Sequence, residues 1–208
     1  MTPPSTNMQL PLRPAVFLDR DGTINEQMGY INHISRFQLL PGVGAAIARL
    51  NAQGMPVVVV TNQSGLARGY FPAALLEAVH EKMHRQLAED GAHIDALYLC
   101  PHHPEAKEAC YRLHCDCRKP KTGLLERAAR EMVLDLPRSY VIGDRWSDLR
   151  CGAAVGATTI LVQTGYGRGD ASYIGPNQTV QPDFVAEDLR EAVDWLLRRE
   201  ADQLLSRA

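Results

Sequence analysis

Short apolar runs alternate with longer amphipathic stretches along most of the chain. The continuous apolar runs predict strands buried on both faces at about 15–19, 56–60, 94–99, 139–143 and 158–162. The stretches between them predict helices at about 42–53, 72–89, 123–133 and 147–155, and a short apolar piece at 183–185 precedes a last helix from about Glu187. This alternation favours an α/β fold with a doubly wound parallel sheet.

Composition narrows the class of protein without identifying its chemistry. The chain has 208 residues, 45% of them hydrophobic, which suits a single domain over 15–208 behind a polar, Pro-rich leader at 1–14. A formal net charge of −2 gives no support to binding of nucleic acid or a membrane surface. No apolar run approaches the ~18 residues that span a bilayer. Five cysteines are an odd number that does not suggest a set of disulfides, so we expect a reducing, cytoplasmic setting. The sequence has no obvious coupling motif, so we expect a monomer.

Two acids follow the first predicted strand. Asp19 ends the run, Asp21 comes two residues later, and Gly22-Thr23 closes the turn. Ligands of open α/β sheets bind at this end of the strands. Carboxylates this close need a cation, a shared proton or different roles, and Mg²⁺ is a suitable cation. Aspartate is also a known nucleophile toward phosphoryl groups. The alternative is an ordinary Asp-Gly capping turn.

Other polar groups are predicted at the same edge of the sheet. The second strand ends in T-N-Q-S-G at 61–65, whose hydroxyl and backbone N–H groups suit phosphate oxygens but equally suit a helix N-cap. Arg118-Lys119 precedes a helix and can neutralise a transferring phosphoryl group, although such a pair is usually solvated surface. After the fourth strand, Asp144 can complete a Mg²⁺ site with Asp19. Asp148 is either an orienting group or a first-turn acid.

A cysteine-rich loop at 100–120 contains four soft metal ligands in two close pairs. Cys100 and His102 form the first pair, and Cys115 and Cys117 form the second after twelve intervening residues. This set fits a closed, structural, tetrahedral Zn²⁺ site, with spacing tighter than that of common zinc fingers. Rival ligands, or residues outside the site, are His103, His114 and Cys110. The alternative is a set of reduced, buried thiols; Cys151 lies in a predicted helix and is expected to pack in the core.

The motifs taken together resemble the haloacid dehalogenase (HAD) superfamily of phosphohydrolases. D-R-D-G-T at 19–23 matches its first motif, V-V-V-V-T-N-Q-S-G at 57–65 its second, R-K-P at 118–120 its third, and V-I-G-D-R-W-S-D at 141–148 its fourth. Within the superfamily, C-P-H-H-P at 100–104 and C-D-C-R-K-P-K-T-G at 115–123 resemble the branch with a zinc loop. The fold implied is a HAD-like, Rossmannoid sheet with a zinc-loop insertion.

The resemblance implies roles for individual residues. Asp19 would form an aspartyl-phosphate, and Asp21 would act as general acid and then as base. Mg²⁺ would bind the carboxylates of Asp19 and Asp144 and the backbone carbonyl of Asp21, while Thr61 and Lys119 would hold the phosphoryl oxygens. The implied substrate-binding residues are Gln27, Met28, Gly29, Tyr30, Asn62, Gln63, Ser64, Arg118 and Arg145.

The zinc-loop branch contains phosphatases of heptose bisphosphate and of histidinol phosphate. The stretch T-N-Q-S-G-L-A-R-G-Y-F at 61–71 resembles the heptose group, which supplies nucleotide-activated heptose for lipopolysaccharide, whereas Arg145 is commoner in the histidinol group. Only about 35 residues separate Thr23 from the second strand, so we expect a capless enzyme. Two further hypotheses are a zinc-stabilised binding module without catalysis and a nucleic-acid 3′-phosphatase. The net negative charge of the chain argues against the second.

Overall fold

A six-stranded, wholly parallel sheet forms the centre of the protein. The computed structural model describes residues 11–206, so most of the predicted leader lies outside the described residues. The strand order is β3-β2-β1-β4-β5-β6. The strands are β1 Val16–Leu18, β2 Val57–Asn62, β3 Ala96–Cys100, β4 Tyr140–Gly143, β5 Thr158–Val162 and β6 Phe184–Ala186. This is the doubly wound arrangement that the alternating pattern predicts, and the ends of the five predicted strands agree with the observed ones to within two residues.

Helices cover both faces of the sheet. They are α1 Val43–Ala52, α2 Ser64–Ala67, α3 Ala73–Glu89, α4 Gly123–Met132, α5 Trp146–Ala153, α6 Gly167–Gly169 and α7 Leu189–Leu205. The four predicted internal helices are all present as α1, α3, α4 and α5, and the last predicted helix is α7. Among the described residues, no helix has both the length and the apolar character needed to cross a membrane.

Alternate residues of each central strand contribute to two separate hydrophobic cores. Val16 and Leu18 pack in the larger cluster beneath α1, α3 and α7, while Phe17 points into the cluster beneath α4 and α5. All three side chains are fully buried. Strands buried on both faces have no polar side of their own, which explains why β1, β2 and β4 read as continuous apolar runs in the sequence.

The chain order reverses beside β1. Strand β1 pairs with β2 on one side and with β4 on the other, and the connections from these two neighbours run in opposite directions along the sheet. Ligands of open α/β folds bind at such a switch point, outside the carboxyl ends of the strands. Asp19 follows β1 and Asp144 follows β4, so the topology brings the first and fourth motifs together.

The Gly-rich segment 164–182, which follows β5, is organised into short helical turns. Helix α6 continues into a π-turn at Asp170–Ile174 and a 3-10 turn at Gly175–Asn177. Trp146 holds these turns in place, because its backbone N–H donates to Asp170 Oδ2 (2.9 Å) and its indole N–H donates to the Val180 carbonyl (2.8 Å). These contacts are long-range and leave no periodic signal in the local sequence.

Replacing Phe17 by Ala is expected to destabilise the protein. Phe17 is fully buried against α4 and α5, and removal of a buried aromatic ring typically costs about 3–5 kcal/mol. Chemical denaturation should therefore show a free energy of unfolding lower by about that amount. Leu12→Ala, at a side chain that is 57% exposed, is the control and should change stability by less than about 0.5 kcal/mol. Equal effects of the two variants would contradict this packing.

Candidate active site

The carboxyl ends of β1, β2 and β4 surround a polar cavity of about 530 Å³. Most of the site residues predicted from the sequence meet there. Those that line the cavity are Asp19, Asp21, Gln27, Gly29, Tyr30, Thr61, Asn62, Gln63, Ser64, Arg118, Lys119 and Arg145. Asp144 lies beneath this lining and is fully buried.

Lys119 is the cation at the floor of the cavity. Its Nζ donates to Asp19 Oδ1 and to the Val60 carbonyl, and it also pairs with Asp148 Oδ1, each at 2.7 Å. The side chain is buried, which by itself disfavours the charged form, but the carboxylates of Asp148 and Asp19 raise the pKa of Lys119 above its usual value. Lys119 therefore remains protonated, and all three of its N–H donors are engaged.

Asp148 has a structural part in this arrangement as well. Its other oxygen, Oδ2, accepts a hydrogen bond from the backbone N–H of Arg145 at 3.2 Å, which caps the start of α5. The sequence analysis offered two hypotheses for Asp148, an orienting group and a first-turn acid. The side chain does both, because Oδ1 pairs with Lys119 and Oδ2 caps α5. Because Asp148 is held at the helix start, it presents a fixed carboxylate to Lys119.

Three buried aspartates converge around Lys119. One carboxylate oxygen of each of Asp19, Asp144 and Asp148 lies within 4.8 Å of the others. Burial, opposed by the charge of Lys119, raises the pKa of Asp19 to about 6. Burial, together with the charges of Asp19 and Asp148, raises the pKa of Asp144 to about 8. A single lysine does not balance three carboxylates, so the cluster favours an additional cation.

The surroundings of Asp144 also fit a bound cation. Its Oδ2 accepts a hydrogen bond from the backbone N–H of Tyr166 at 2.8 Å, whereas its buried Oδ1 has no hydrogen-bond partner. A Cβ atom at Gly22 or at Gly165 would come within 2.1 Å of Oδ2, so two glycines allow this close approach. A hard, oxygen-binding ion such as Mg²⁺ suits an unpartnered carboxylate oxygen beside a second carboxylate.

Asp21 is held in a separate set of contacts. Arg20 Nη2 donates to both carboxylate oxygens at 2.8 and 2.6 Å, and the side-chain amides of Asn25 and Gln63 donate to one oxygen each at 3.0 and 2.8 Å. Burial works against ionisation, but Arg20 and these donors together lower the pKa of Asp21 below its usual value. Asp21 is therefore a carboxylate in this structure.

Two residues at the end of β2, Asn62 and Gln63, connect neighbouring parts of the site. The Asn62 side-chain amide accepts from the Lys119 backbone N–H at 3.1 Å and donates to the Lys119 carbonyl at 3.2 Å, so it fixes the lysine segment beside the strand. The Gln63 Nε2 amino group donates to Thr61 Oγ1 at 2.9 Å as well as to Asp21. Both side chains line the cavity, but their amide groups hydrogen-bond to other residues of the site.

The loop after the first motif forms one wall of the cavity. The Gln27 side chain bridges the Asp21 carbonyl (3.3 Å) and the backbone N–H of Gly29 (2.9 Å). Tyr30 reaches the rim, where its ring meets that of Tyr70 edge-on at 4.7 Å. Met28 does not line the cavity, contrary to its predicted place in the substrate site, because its side chain packs against the larger hydrophobic core.

Guanidinium groups lie around the open end of the cavity. Arg145 stacks over the Tyr166 ring at 4.6 Å, and Arg118 Nη1 donates to the His102 carbonyl at 3.4 Å. Lining residues that the sequence analysis did not identify include Arg20, Arg68, Phe71, Trp146, Tyr166, Asp170 and Ile174. Arg68 and Phe71 lie within the quoted stretch 61–71, so that motif carried a signal for them. Tyr166 and Ile174 reach the cavity through the helical turns after β5, which had no such signal.

The four predicted soft ligands form one cluster at the end of β3. Cys100 Sγ lies 3.5 Å from Cys115 Sγ and 3.8 Å from His102 Nδ1, and His102 Nδ1 lies 3.2 Å from Cys117 Sγ. Bonds of about 2.3 Å to sulfur and 2.0–2.1 Å to nitrogen, in tetrahedral geometry, place ligand atoms roughly 3.5–3.8 Å apart. Two of the observed separations, 3.5 and 3.8 Å, fall in this range and the third, 3.2 Å, is slightly shorter, so the cluster is consistent with a Cys₃His structural zinc site.

The rival ligands lie outside this cluster. His103 faces Arg68, with 2.9 Å between His103 Nε2 and Arg68 Nη2. Cys110 and His114 are exposed, and Cys151 is buried in the core beneath α4 and α5 as the sequence predicts. Cys151 Sγ donates to the Lys121 carbonyl at 3.2 Å. The described Cys and His residues thus separate into one compact ligand set and several unrelated side chains.

Comparison with known proteins adds the following relationships. A HAD-hydrolase-like family model matches residues 116–192. The chain is 44% identical over 189 residues to the D-glycero-D-manno-heptose-1,7-bisphosphate 7-phosphatase of Thermosynechococcus vestitus, covering 88% of this chain and 95% of the relative. It is 47% identical over 154 residues to the corresponding β-heptose enzyme of Photorhabdus laumondii, covering 73% of this chain and 81% of the relative.

Solved structures agree with this placement. The fold matches a D,D-heptose 1,7-bisphosphate phosphatase from B. bronchiseptica, in complex with magnesium and phosphate, with a TM-score of 0.79 and 38% identity over 89% of this chain and 99% of that one. A Burkholderia thailandensis enzyme of the same name matches with a TM-score of 0.65 and 34% identity over 89% and 99%. The protein accordingly belongs to the D-glycero-D-manno-heptose-1,7-bisphosphate 7-phosphatase family of HAD-like hydrolases.

Proposed function

We propose that the protein is a Mg²⁺-dependent phosphatase that removes the 7-phosphate from D-glycero-D-manno-heptose 1,7-bisphosphate. The observation that carries the proposal is the buried contact between Asp19 and Lys119, placed beside Asp144 at the mouth of the sheet. It combines a nucleophile with a fixed positive charge. The names of the relatives, and the magnesium and phosphate in the B. bronchiseptica enzyme, agree with this chemistry.

Asp19 is the proposed nucleophile. Its carboxylate attacks phosphorus, the bond from phosphorus to the sugar oxygen breaks, and the leaving oxygen takes a proton from Asp21. A water molecule then attacks the phosphorus of the aspartyl-phosphate and gives its proton to Asp21, which releases inorganic phosphate and restores Asp19. Lys119 is within hydrogen-bond distance of Asp19 and is placed to neutralise charge on the phosphoryl oxygens, to which Thr61 can donate its hydroxyl proton.

The carboxylates of Asp19 and Asp144 and the backbone carbonyl of Asp21 are the proposed ligands of Mg²⁺. When bound, the ion neutralises negative charge on the carboxylates and on the transferring phosphoryl group. The unpartnered Oδ1 of Asp144 and the raised pKa values of Asp19 and Asp144 support this assignment.

The hydrogen bonds to Asp21 bear on whether it can act as an acid or as a base. As the carboxylate seen here, held by Arg20 and Gln63, it suits the second step, in which a base accepts a proton from water. To donate a proton in the first step, Asp21 must carry one, which requires the substrate to displace some of these donors. Substrate entry is therefore expected to rearrange the contact between Asp21 and Gln63.

The charge around the cavity favours a substrate with a second anionic group. The guanidinium groups of Arg68, Arg118 and Arg145 all line the cavity, and the closest carboxylate contact of Arg68 is a 4.0 Å pair with Glu105. A second phosphate suits these cations better than the amine and imidazole of histidinol phosphate. Histidinol phosphate remains the second candidate because Arg145 resembles the residue common in that group.

The remaining expectations concern the setting of the enzyme. The reducing, cytoplasmic setting stays a prediction from the cysteine content of the sequence. The monomeric state stays a prediction.

The first test is release of phosphate by the purified protein with Mg²⁺. Heptose 1,7-bisphosphate and histidinol phosphate are compared at equal concentration, and the bisphosphate is expected to react much faster because of the cationic rim. Chelation of Mg²⁺ with excess EDTA should abolish turnover. Faster hydrolysis of histidinol phosphate would overturn the substrate assignment, and no Mg²⁺-dependent turnover of any small phosphate ester would favour a non-catalytic zinc module.

Replacing Asp19 by Asn should remove nearly all activity, because an amide is not a nucleophile toward phosphorus. The expected loss in kcat is about 10³-fold or more. The matched control is Asp202→Asn, an exposed position on α7, which should keep wild-type kcat and KM. Wild-type activity in the Asp19 variant would rule out the aspartyl-phosphate.

Replacing Cys115 by Ser should reduce zinc content and thermal stability together. Binding of a structural zinc ion contributes directly to folding free energy, so loss of one ligand destabilises the loop. Metal analysis and thermal melting of the purified variant are the measurements. Cys110→Ser is the matched control, since Cys110 is an exposed cysteine of the same loop outside the cluster. Full zinc and full stability in Cys115→Ser would show that the ligand set is wrong.

A further inference from the structure

Arg68 lies at the edge of the cavity, immediately after α2. Its backbone N–H donates to the Ser64 carbonyl at 3.0 Å, which fixes its main chain on the same turn as the second motif. The side chain is 29% exposed and lines the cavity together with Arg118. Arg68 thus contributes a guanidinium group to the cavity from the segment that follows β2.

The protein leaves much of the hydrogen-bonding capacity of Arg68 unused. A guanidinium has five N–H donors and no acceptor. Arg68 Nη2 lies 2.9 Å from His103 Nε2, and its buried Nε has no partner. The nearest carboxylate, Glu105, is 4.0 Å away and is itself 80% exposed, so this ion pair is weak.

The imidazole of His103 faces two donors, Arg68 and the backbone N–H of Glu105. The backbone N–H of Glu105 points at His103 Nδ1 from 3.1 Å, while Arg68 points at Nε2. A neutral imidazole has one acceptor nitrogen, so it can accept from only one of these donors at a time. An anion that enters the cavity would therefore give Arg68 hydrogen bonds that the protein does not fully supply.

Arg20, another arginine that lines the cavity, provides a contrast. Arg20 is buried, and its Nη2 donates to both oxygens of Asp21. Its charge is neutralised within the protein. Arg68 lacks such a close carboxylate partner. These two of the four arginines that line the cavity therefore differ: Arg20 holds the Asp21 carboxylate, and Arg68 is available to a ligand.

We infer that Arg68 binds the phosphate that is not hydrolysed and so determines specificity for a sugar bisphosphate. The inference rests on the proposed function, because it requires the reacting phosphate to lie at Asp19. His103 is assigned as a positioning residue that holds the Arg68 guanidinium towards the cavity.

This assignment also gives the zinc loop a contact with the substrate space. His103 follows the cluster residue His102 directly, and the backbone N–H of Lys107, in the same loop, donates to the Ala67 carbonyl at 2.9 Å. The loop is therefore attached to the α2 turn through its backbone and touches Arg68 through a side chain. These two contacts link the position of the zinc loop to the position of the Arg68 side chain.

The test compares Arg68→Gln with wild type on two substrates, heptose 1,7-bisphosphate and heptose 7-phosphate. The second substrate has the same reacting group and lacks the 1-phosphate. We expect KM for the bisphosphate to rise about tenfold or more, because the variant loses a hydrogen bond between charged groups, and we expect kcat to stay within about twofold. KM for heptose 7-phosphate should stay unchanged. Arg150→Gln, at an exposed arginine of α5, is the matched control.

The role of His103 is tested by a conservative pair of variants. His103→Ala should raise KM for the bisphosphate in the same direction as Arg68→Gln, whereas His103→Gln, which retains an acceptor, should restore much of the loss. The double variant Arg68→Gln/His103→Ala should be no worse than Arg68→Gln alone. Zinc content should be normal in all of these variants, and a loss of zinc would overturn the assignment of His103.

The outcomes separate this inference from the proposed function. Wild-type protein that fails to hydrolyse the bisphosphate overturns the proposed function and the inference with it. Wild-type turnover with an unchanged KM ratio in Arg68→Gln, or with equal losses on both substrates, overturns the inference alone. If Arg68→Gln melts well below wild type, Arg68→Lys gives the same test, because a single ammonium cannot replace the two-point contact of a guanidinium and should raise KM for the bisphosphate alone.

Discussion

The buried ion cluster around Lys119 is the constraint on which the rest of the site depends. Three aspartates lie close together at the sheet edge, and only one lysine is buried among them. Burial of ionised groups is expensive unless each is paired and hydrogen-bonded, and here the acids outnumber the base. The cluster holds the Asp19 carboxylate in a fixed position against Lys119 and leaves a buried oxygen of Asp144 without a hydrogen-bond partner, an arrangement that suits a divalent cation.

The surrounding fold is arranged to hold this cluster. Strands β1 and β4 bring Asp19 and Asp144 together because they are neighbours at the switch point of the sheet. Gly22 and Gly165 allow the backbone to approach Asp144, and Asn62 attaches the Lys119 segment to the end of β2. The apolar strands supply the rigid platform, and the segments that follow the carboxyl ends of β1, β3 and β4 carry Asp19, Lys119 and the pair Asp144 and Asp148.

Charge divides the cavity into two regions with different tasks. The acidic floor, with Lys119, suits a metal ion and a transferring phosphoryl group. The rim carries guanidinium groups and aromatic rings, including the stacked pair of Arg145 and Tyr166. A substrate with phosphates at both ends would match this division, and the zinc loop contributes to it because Arg118 follows directly after the cluster residue Cys117.

By itself, the sequence determined the parallel sheet, the four motifs at its edge and the four soft ligands that cluster at the end of β3. Buried strands need continuous apolar runs, and catalytic or metal-binding groups need particular residue types at short spacing, so both leave a local record. Tertiary structure alone decided that Met28 faces the core, that residues 164–182 fold into helical turns held by Trp146, and that Arg68 meets His103. These outcomes depend on contacts between residues distant in the chain, and such contacts have no periodicity or motif from which they can be read.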